Sequence, residues 1–317
     1  MAPVVFVDSR PRISRAATTT ILSSATSNET WLIKPRSNPE DDVFQGRVEL
    51  IDPRDLPGAE RLQHRFRAVY RHYSTNPVAY ERACFERFLL THLWSDRFSY
   101  GDFWHFDTDA LAAMPLADLV AEERRFQLSC GLPTGLQGKM PSATVSQSFQ
   151  TSDVASRFVD FMMSRFFSDP HLNLEGWFLE RTRDGLGGGV SDMTAWGQFI
   201  VSNPDITVFD SFSSTLRGRI LVDTTYQLRQ QLDAMNLDWS EGRLYLRSRN
   251  GRLSVMRGES ILGIAAIHMA GADKGLIFPL SNGKSVRYMG LQHQLRRAKF
   301  RALRRSQHTV RQLQSRL

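Results

Sequence analysis

The first hundred residues alternate between short apolar runs and longer amphipathic stretches, and the alternation ends at a pair of aspartates. Residues 4–7, 30–33 and 48–51 read as strands, and residues 15–25, 59–72 and 77–94 read as helices. Such a series builds a largely parallel, Rossmann-like sheet, because parallel neighbours need a long crossover and a helix supplies it. A further buried strand, Gly101-Asp102-Phe103-Trp104-His105-Phe106, runs into Asp107-Thr108-Asp109, and an apolar stretch from Ala110 to Leu116 leads away. Ligands of open α/β sheets sit beyond the carboxyl ends of strands, where these carboxylates fall. Their hard oxygens suit Mn²⁺ or Mg²⁺. With 21 Asp in the chain, a D-x-D pattern arises about once by chance. An Asp-rich turn capping the next segment therefore stands beside the metal reading.

A second motif is rarer. His268-Met269-Ala270-Gly271-Ala272-Asp273-Lys274 follows another buried run at residues 260–267. With 8 His, 21 Gly and few Lys in the chain, H-x-x-G-x-x-K is expected only ~0.01 times. It offers an imidazole for a metal, a glycine that admits a phosphate close to the backbone, and an ammonium to neutralise that phosphate. A loop histidine with a surface lysine is the plain alternative.

An apolar strand ending in D-x-D with H-x-x-G-x-x-K far downstream resembles the GT-A fold glycosyltransferases, especially the retaining family 8 enzymes that use nucleotide-diphosphate sugars. The resemblance implies an α/β fold of the GT-A type: a Rossmann-like, mostly parallel central sheet flanked by helices, with a small antiparallel addition. It implies Mn²⁺ or Mg²⁺ held by Asp107, Asp109 and His268, and a donor diphosphate contacted by Gly271 and Lys274. Residues after the first strand would line the nucleotide pocket, which nominates Asp8 and Arg10 or, equally, an ordinary turn. The donor implied is a nucleotide sugar, with UDP the first choice. The acceptor would be a saccharide, glycolipid or protein hydroxyl, and transfer would retain configuration. Family 8 usually has Pro-Trp after the lysine; Gly275-Leu276 stands here.

Two charged residues need partners. Arg87 shares its predicted helix with Cys84, Phe85, Phe88 and Leu89, and a cation in such company needs an anion. The resemblance points it at phosphates or a metal-site carboxylate; a salt bridge with Glu81, Glu86 or another carboxylate is the alternative. Asp192 follows a glycine cluster and precedes a helix-like stretch at residues 194–201. It is either a helix cap or the acidic residue that, in the enzymes resembled, lies beneath the donor sugar. Residues 153–167 read as an aromatic helix, and 243–247 with 252–256 as a hairpin about Asn250-Gly251.

The chain carries a net charge of +7, and the excess belongs to its last segment. From Lys274 onward there are 11 Lys and Arg and no acidic residue. Leu291, Leu295, Phe300, Leu303, Val310, Leu313 and Leu317 recur there at helical spacing among arginines. Such a basic amphipathic helix could lie on an anionic membrane surface or pack on the core; a nucleic-acid arm is the least favoured use. Residues 1–290 are thus expected to form the catalytic domain, with a nucleotide half at 1–116 and an acceptor half at 117–290, and 291–317 a basic helix. Two cysteines give no disulfide framework and no metal-ligand spacing. No apolar run is long enough for a signal-peptide core or a membrane span, so the expected setting is cytoplasmic, peripheral on the inner membrane face if the basic helix binds lipid.

The absence of G-x-G-x-x-G disfavours a dinucleotide cofactor, and no G-x-S-x-G supports serine chemistry. Two rivals remain: a metal-dependent phosphohydrolase or nucleotidyltransferase, and a non-catalytic polyanion- or membrane-binding protein. The first of these, in its haloacid dehalogenase form, would place D-x-D after the first strand.

Overall fold

The computed structural model describes residues 2–36, 40–120, 126–132, 140–185, 188–223, 235, 239–240, 243–244, 247–249, 252–257 and 260–269. Strands β1 (Val4–Val7), β2 (Thr30–Ile33), β3 (Glu49–Ile51) and β4 (Asp102–Phe106) are mutually parallel. Between them run α1 (Arg15–Ser24), α2 (Ala59–Val69) and α3 (Val78–Arg97). After β5 (Ala110–Ala112) and α4 (Ala117–Val120), the first sheet gains β6 (Leu128–Cys130), β7 (Gln147–Thr151) and, beyond α5 (Ser152–Phe161), α6 (Leu174–Arg183) and α7 (Asp192–Ser202), β8 (Val208–Asp210). Its order is β3-β2-β1-β4-β7-β6-β8, and β7 alone runs antiparallel. The second sheet joins β5 to β9 (Arg219–Asp223), β12 (Arg247–Arg249), β13 (Arg252–Arg257) and β14 (Ser260–His268). Strands β10 (Trp239–Ser240) and β11 (Arg243–Leu244) form a separate two-stranded ribbon. The expected architecture is present: a mostly parallel central sheet between helical layers, with a smaller, largely antiparallel sheet added.

Burial on both faces explains why β1 reads as an unbroken apolar run. Val4 and Phe6 pack with Ile21 of α1, Trp104 and Phe106, whereas Val5 points the other way, among Leu90, Trp94 and Phe103. In β4, therefore, residues 104 and 106 face α1, and residues 103 and 105 face α3. The α3 side holds the largest core, in which Phe158 of α5 stacks on Trp196 of α7 with ring centroids 3.7 Å apart.

Boundaries shift where a cap or a cross-chain contact intervenes. The helix expected at 59–72 stops at Val69, because Tyr70 turns extended and the chain beyond it pairs, through Ser74, with Gly189. The helix expected at 153–167 begins at Ser152, where Thr151 caps it, and its last turn over Met162–Phe166 widens to a π-helix. The hairpin is present, but its first strand is Arg247–Arg249; residues 243–244 pair instead with 239–240. The basic helix expected at 291–317 lies outside the described residues. Among those described, no helix is long and apolar enough to cross a membrane.

Gly197, in mid-α7, is where residues 141–142 cross the helix. A Cβ added there would lie 2.4 Å from the Pro141 carbonyl carbon and 2.5 Å from Ser142 Cα. Alanine would return about 1 kcal/mol of helix propensity, but overpacking costs about 1–3 kcal/mol, and backbone yields less readily than a side chain. Gly197→Ala is thus expected to lower the urea midpoint, by a net loss of up to about 2 kcal/mol.

Candidate active site

The D-x-D motif sits where β1 and β4 end side by side. Phe6 pairs with Phe106, so Asp8 and Asp107 leave the same edge of the sheet. The Asp107 carbonyl accepts from the Ala110 N–H at 2.8 Å, closing a tight turn that reverses the chain into β5. The second sheet supplies the other half. In the antiparallel pairing of β14 with β5, His268 stands opposite Ala110, and the Met269 N–H bonds to the Asp109 carbonyl at 2.9 Å. The H-x-x-G-x-x-K strand thereby delivers its imidazole to the aspartates: Nε2 lies 3.2 Å from Asp109 Oδ1 and 4.0 Å from Asp107 Oδ2.

One ligand atom from each of Asp107, Asp109 and His268 falls within 4.8 Å of the others. Trans ligands of an octahedral ion with bonds near 2.1 Å are ~4.2 Å apart, so a small inward adjustment lets all three reach one divalent cation. Two carboxylates and an imidazole are donors that can hold a divalent cation, and the two negative charges match its own. The residues therefore fit a divalent metal.

Arg87 bridges this cluster to Asp192. Two repeats that match in length put it there. From His105 to Asp107 the strand advances two residues, about 6.6 Å, on its α3-facing side; from Thr91 back to Arg87 the helix retreats four, about 6 Å. Thr91 Oγ1 meets His105 Nδ1 at 3.2 Å, and one step further Arg87 Nη1 meets Asp107. Its Nη2 reaches Asp192. The alternative partners are engaged elsewhere: Glu86 with Arg67 and Arg82, Glu81 with Ser74 and Asn76. Asp192, in turn, is not the cap of α7. Ser191 holds that position in a capping box with Thr194, whose Oγ1 accepts the Ser191 N–H at 3.2 Å. That leaves the Asp192 carboxylate free to face Arg87.

The shared guanidinium sets the two carboxylates apart. Burial works against charge on Asp107, yet Arg87, with His105 and His268 behind it, holds its pKa below the usual carboxylate range. Burial raises Asp192 instead, and Asp107 and Glu81 add to the rise, which Arg87 only partly offsets. Asp107 is suited to stay ionised beside a cation, and Asp192 to exchange a proton. Burial also opposes charge on His268, but Asp223 and Asp109 outweigh it and raise its pKa well above the ordinary value. His105, wholly buried among Phe88, Thr91 and Asp107, is lowered by desolvation.

Asp8 is buried and holds Arg10 in a two-point pair, with Nε and Nη2 at 2.8 and 2.7 Å from its oxygens. Arg10 also feels Asp109, which places this pair at the same sheet edge as the metal ligands. Gly271 and Lys274 lie outside the described residues. Cys84 and Cys130 are free; burial pushes the Cys84 thiol up to about 12, so it is no nucleophile at neutral pH. Asp223, which bonds the far side of His268, was not singled out from the sequence. A signal existed: Ile220-Leu221-Val222-Asp223 is an apolar strand ending in an acid, the same grammar that marks Asp107.

No protein-family model matches the chain, and no curated protein does. Solved structures do, and three of them are glycosyltransferases. The apo form of mouse xyloside xylosyltransferase 1 is 11% identical over 71% of this chain and 89% of its own, with a TM-score of 0.43. The galactosyltransferase LgtC, solved with donor and acceptor sugar analogs, is 11% identical over 92% of this chain and 99% of its own, also at 0.43. The bifunctional glycosyltransferase WbbM is 9% identical over 93% of this chain and 52% of its own, at 0.47. These likenesses concern the path of the chain; the roles of side chains rest on the geometry above.

Proposed function

We propose that the protein is a metal-dependent glycosyltransferase that moves a sugar from a nucleotide-diphosphate donor, UDP-linked as first choice, to a hydroxyl of a saccharide or other acceptor. The observation that carries this reading is the convergence of Asp107, Asp109 and His268 from two sheets onto one point at the carboxyl ends of β4 and β14, with Arg87 and Asp192 beside it. In the reaction the bond from the anomeric carbon to the diphosphate oxygen breaks, its electron pair leaves with the diphosphate, and the acceptor oxygen bonds to that carbon. A bound Mn²⁺ or Mg²⁺ would supply Lewis-acid neutralisation of the departing diphosphate.

In this reading Asp107, Asp109 and His268 hold the cation, Gly271 and Lys274 contact the diphosphate, and Asp8 and Arg10 bind the nucleoside. Arg87 keeps Asp107 ionised and adds positive charge where negative charge develops. Asp192 would lie beneath the donor sugar as the acidic residue of the site. Retention is the stereochemical outcome proposed.

The test is donor hydrolysis and transfer with a panel of UDP-, GDP- and dTDP-sugars, with and without Mn²⁺. The expected result is metal-dependent release of one nucleoside diphosphate, lost in His268→Ala. A folded protein that neither binds nor turns over any donor would overturn the proposal and leave polyanion binding by the basic C-terminal segment as the alternative.

A further inference from the structure

His268 is flanked by carboxylates on both ring nitrogens, and only one of them belongs to the cation cluster. Nδ1 lies 3.0 Å from Asp223 Oδ1, on the side away from Asp107 and Asp109. The sheet fixes this contact. Strand β14 runs parallel to β9 with His268 directly opposite Asp223, while its antiparallel pairing with β5 sets His268 opposite Ala110. One strand thus holds the imidazole between two acids carried by its neighbours.

Asp223 is itself fixed. It is 1% exposed, and its second oxygen accepts from Ser146 Oγ at 3.2 Å. Ser146 also gives its carbonyl to the Asp107 N–H at 2.8 Å. The next residue repeats the link, with Gln147 Nε2 donating to the Val222 carbonyl at 2.7 Å. The segment entering β7 therefore ties the D-x-D turn to the end of β9, and through it to the back of His268.

We infer that Asp223 is a positioning residue for His268: by accepting the Nδ1–H from a carboxylate that Ser146 anchors, it fixes the ring so that Nε2 is the nitrogen presented to a divalent cation. An ionised carboxylate can only accept, so Nδ1 carries a hydrogen toward Asp223, on the side away from the cation cluster; Nε2, 3.2 Å from Asp109 Oδ1, is the nitrogen whose proton a cation held by Asp107 and Asp109 would displace. A ring orientation set in this way is what histidine ligands require, and removing such a partner typically costs 10–100-fold in metal affinity. The inference rests on the metal-site reading proposed above.

The test uses the full chain without donor. Mn²⁺ binding is titrated by electron paramagnetic resonance for the parent, Asp223→Asn and Ser146→Ala. Asp223→Asn preserves shape but replaces the obligate acceptor with an amide, and about 10–100-fold weaker binding is expected; Ser146→Ala should give a smaller loss in the same direction. The second measurement needs no variant of the relay. With ¹⁵N-histidine protein, its His268 signals assigned by their absence in His268→Ala, added Mg²⁺ should shift Nε2 while Nδ1 keeps its hydrogen. This signature would not follow from a merely structural aspartate. Parent-like Mn²⁺ affinity in folded Asp223→Asn, or Mg²⁺ acting at Nδ1, would overturn the inference and leave the metal site standing. No Mn²⁺ binding by the parent would sink the metal reading itself, and this inference with it.

Discussion

On the transferase reading, Asp109→Asn is expected to lower metal-dependent donor turnover by about 10²–10³-fold, because it weakens the hold on the cation that stabilises the departing diphosphate. Asparagine keeps the size of the side chain and removes its charge. In the parent, Asp109 Oδ1 lies 3.2 Å from His268 Nε2, and the Asp109 carbonyl is bonded to the Met269 N–H. The backbone bond survives the substitution, so the turn and the β5–β14 pairing should stay in place. What changes is the net charge offered to a cation and the anion facing His268. Two readouts separate the consequences. If the loss is recovered at high Mn²⁺, Asp109 serves metal affinity; if it persists at saturating metal, Asp109 also shapes leaving-group stabilisation. Unchanged kcat/KM at limiting Mn²⁺ would remove Asp109 from the site.

The second large effect is on stability. Arg87→Met should destabilise the fold by about 3–5 kcal/mol at neutral pH, since breaking a buried pair leaves uncompensated charge. Here two carboxylates lose their partner at once: Asp107 and Asp192, the latter 5% exposed. Methionine fills much of the volume, so the penalty is chiefly electrostatic. The sign with pH follows from how the carboxyl shifts change when Arg87, which lowers both, is removed. Asp107 is held below its ordinary pKa, so its ion pair stabilises the fold above the unfolded-state value near 4 and that contribution fades as pH falls through the folded value. Without Arg87 both carboxylates rise and can protonate. The deficit should therefore be larger at pH 7.5 than at pH 5 in urea titrations, and Mn²⁺ should recover part of it by binding the folded state. An equal deficit at both pH values would mean that lost packing, and not charge, is the cause.

Much of the architecture was legible because strand periodicity and caps are local. The strands at 4–7 and 30–33 fall where expected, and the third is shorter by one residue. Strand Asp102–Phe106 ends one residue before Asp107, and Ser260–His268 ends on His268 itself. The alternatives left open were of another kind. Whether Arg87 met Glu81, Glu86 or Asp107 depended on which turn of α3 lay over β4. Whether Asp192 capped α7 depended on Ser191 and Thr194 taking that task. The pairing of Asp223 with His268 is not legible in the sequence, because nothing local links residues that stand 45 apart.

By itself, then, the sequence determined the alternating elements, the buried strands and the chemical types brought to their ends, since these follow from side-chain period and donor identity within a few residues. Only the tertiary structure decided which charges meet. Sheet register set Asp223 and Asp109 on either side of His268, and the match between four helical and two strand residues set Arg87 over Asp107. Such pairings depend on distances between segments remote in the chain, and those distances exist only once the two sheets and the α3 layer have packed.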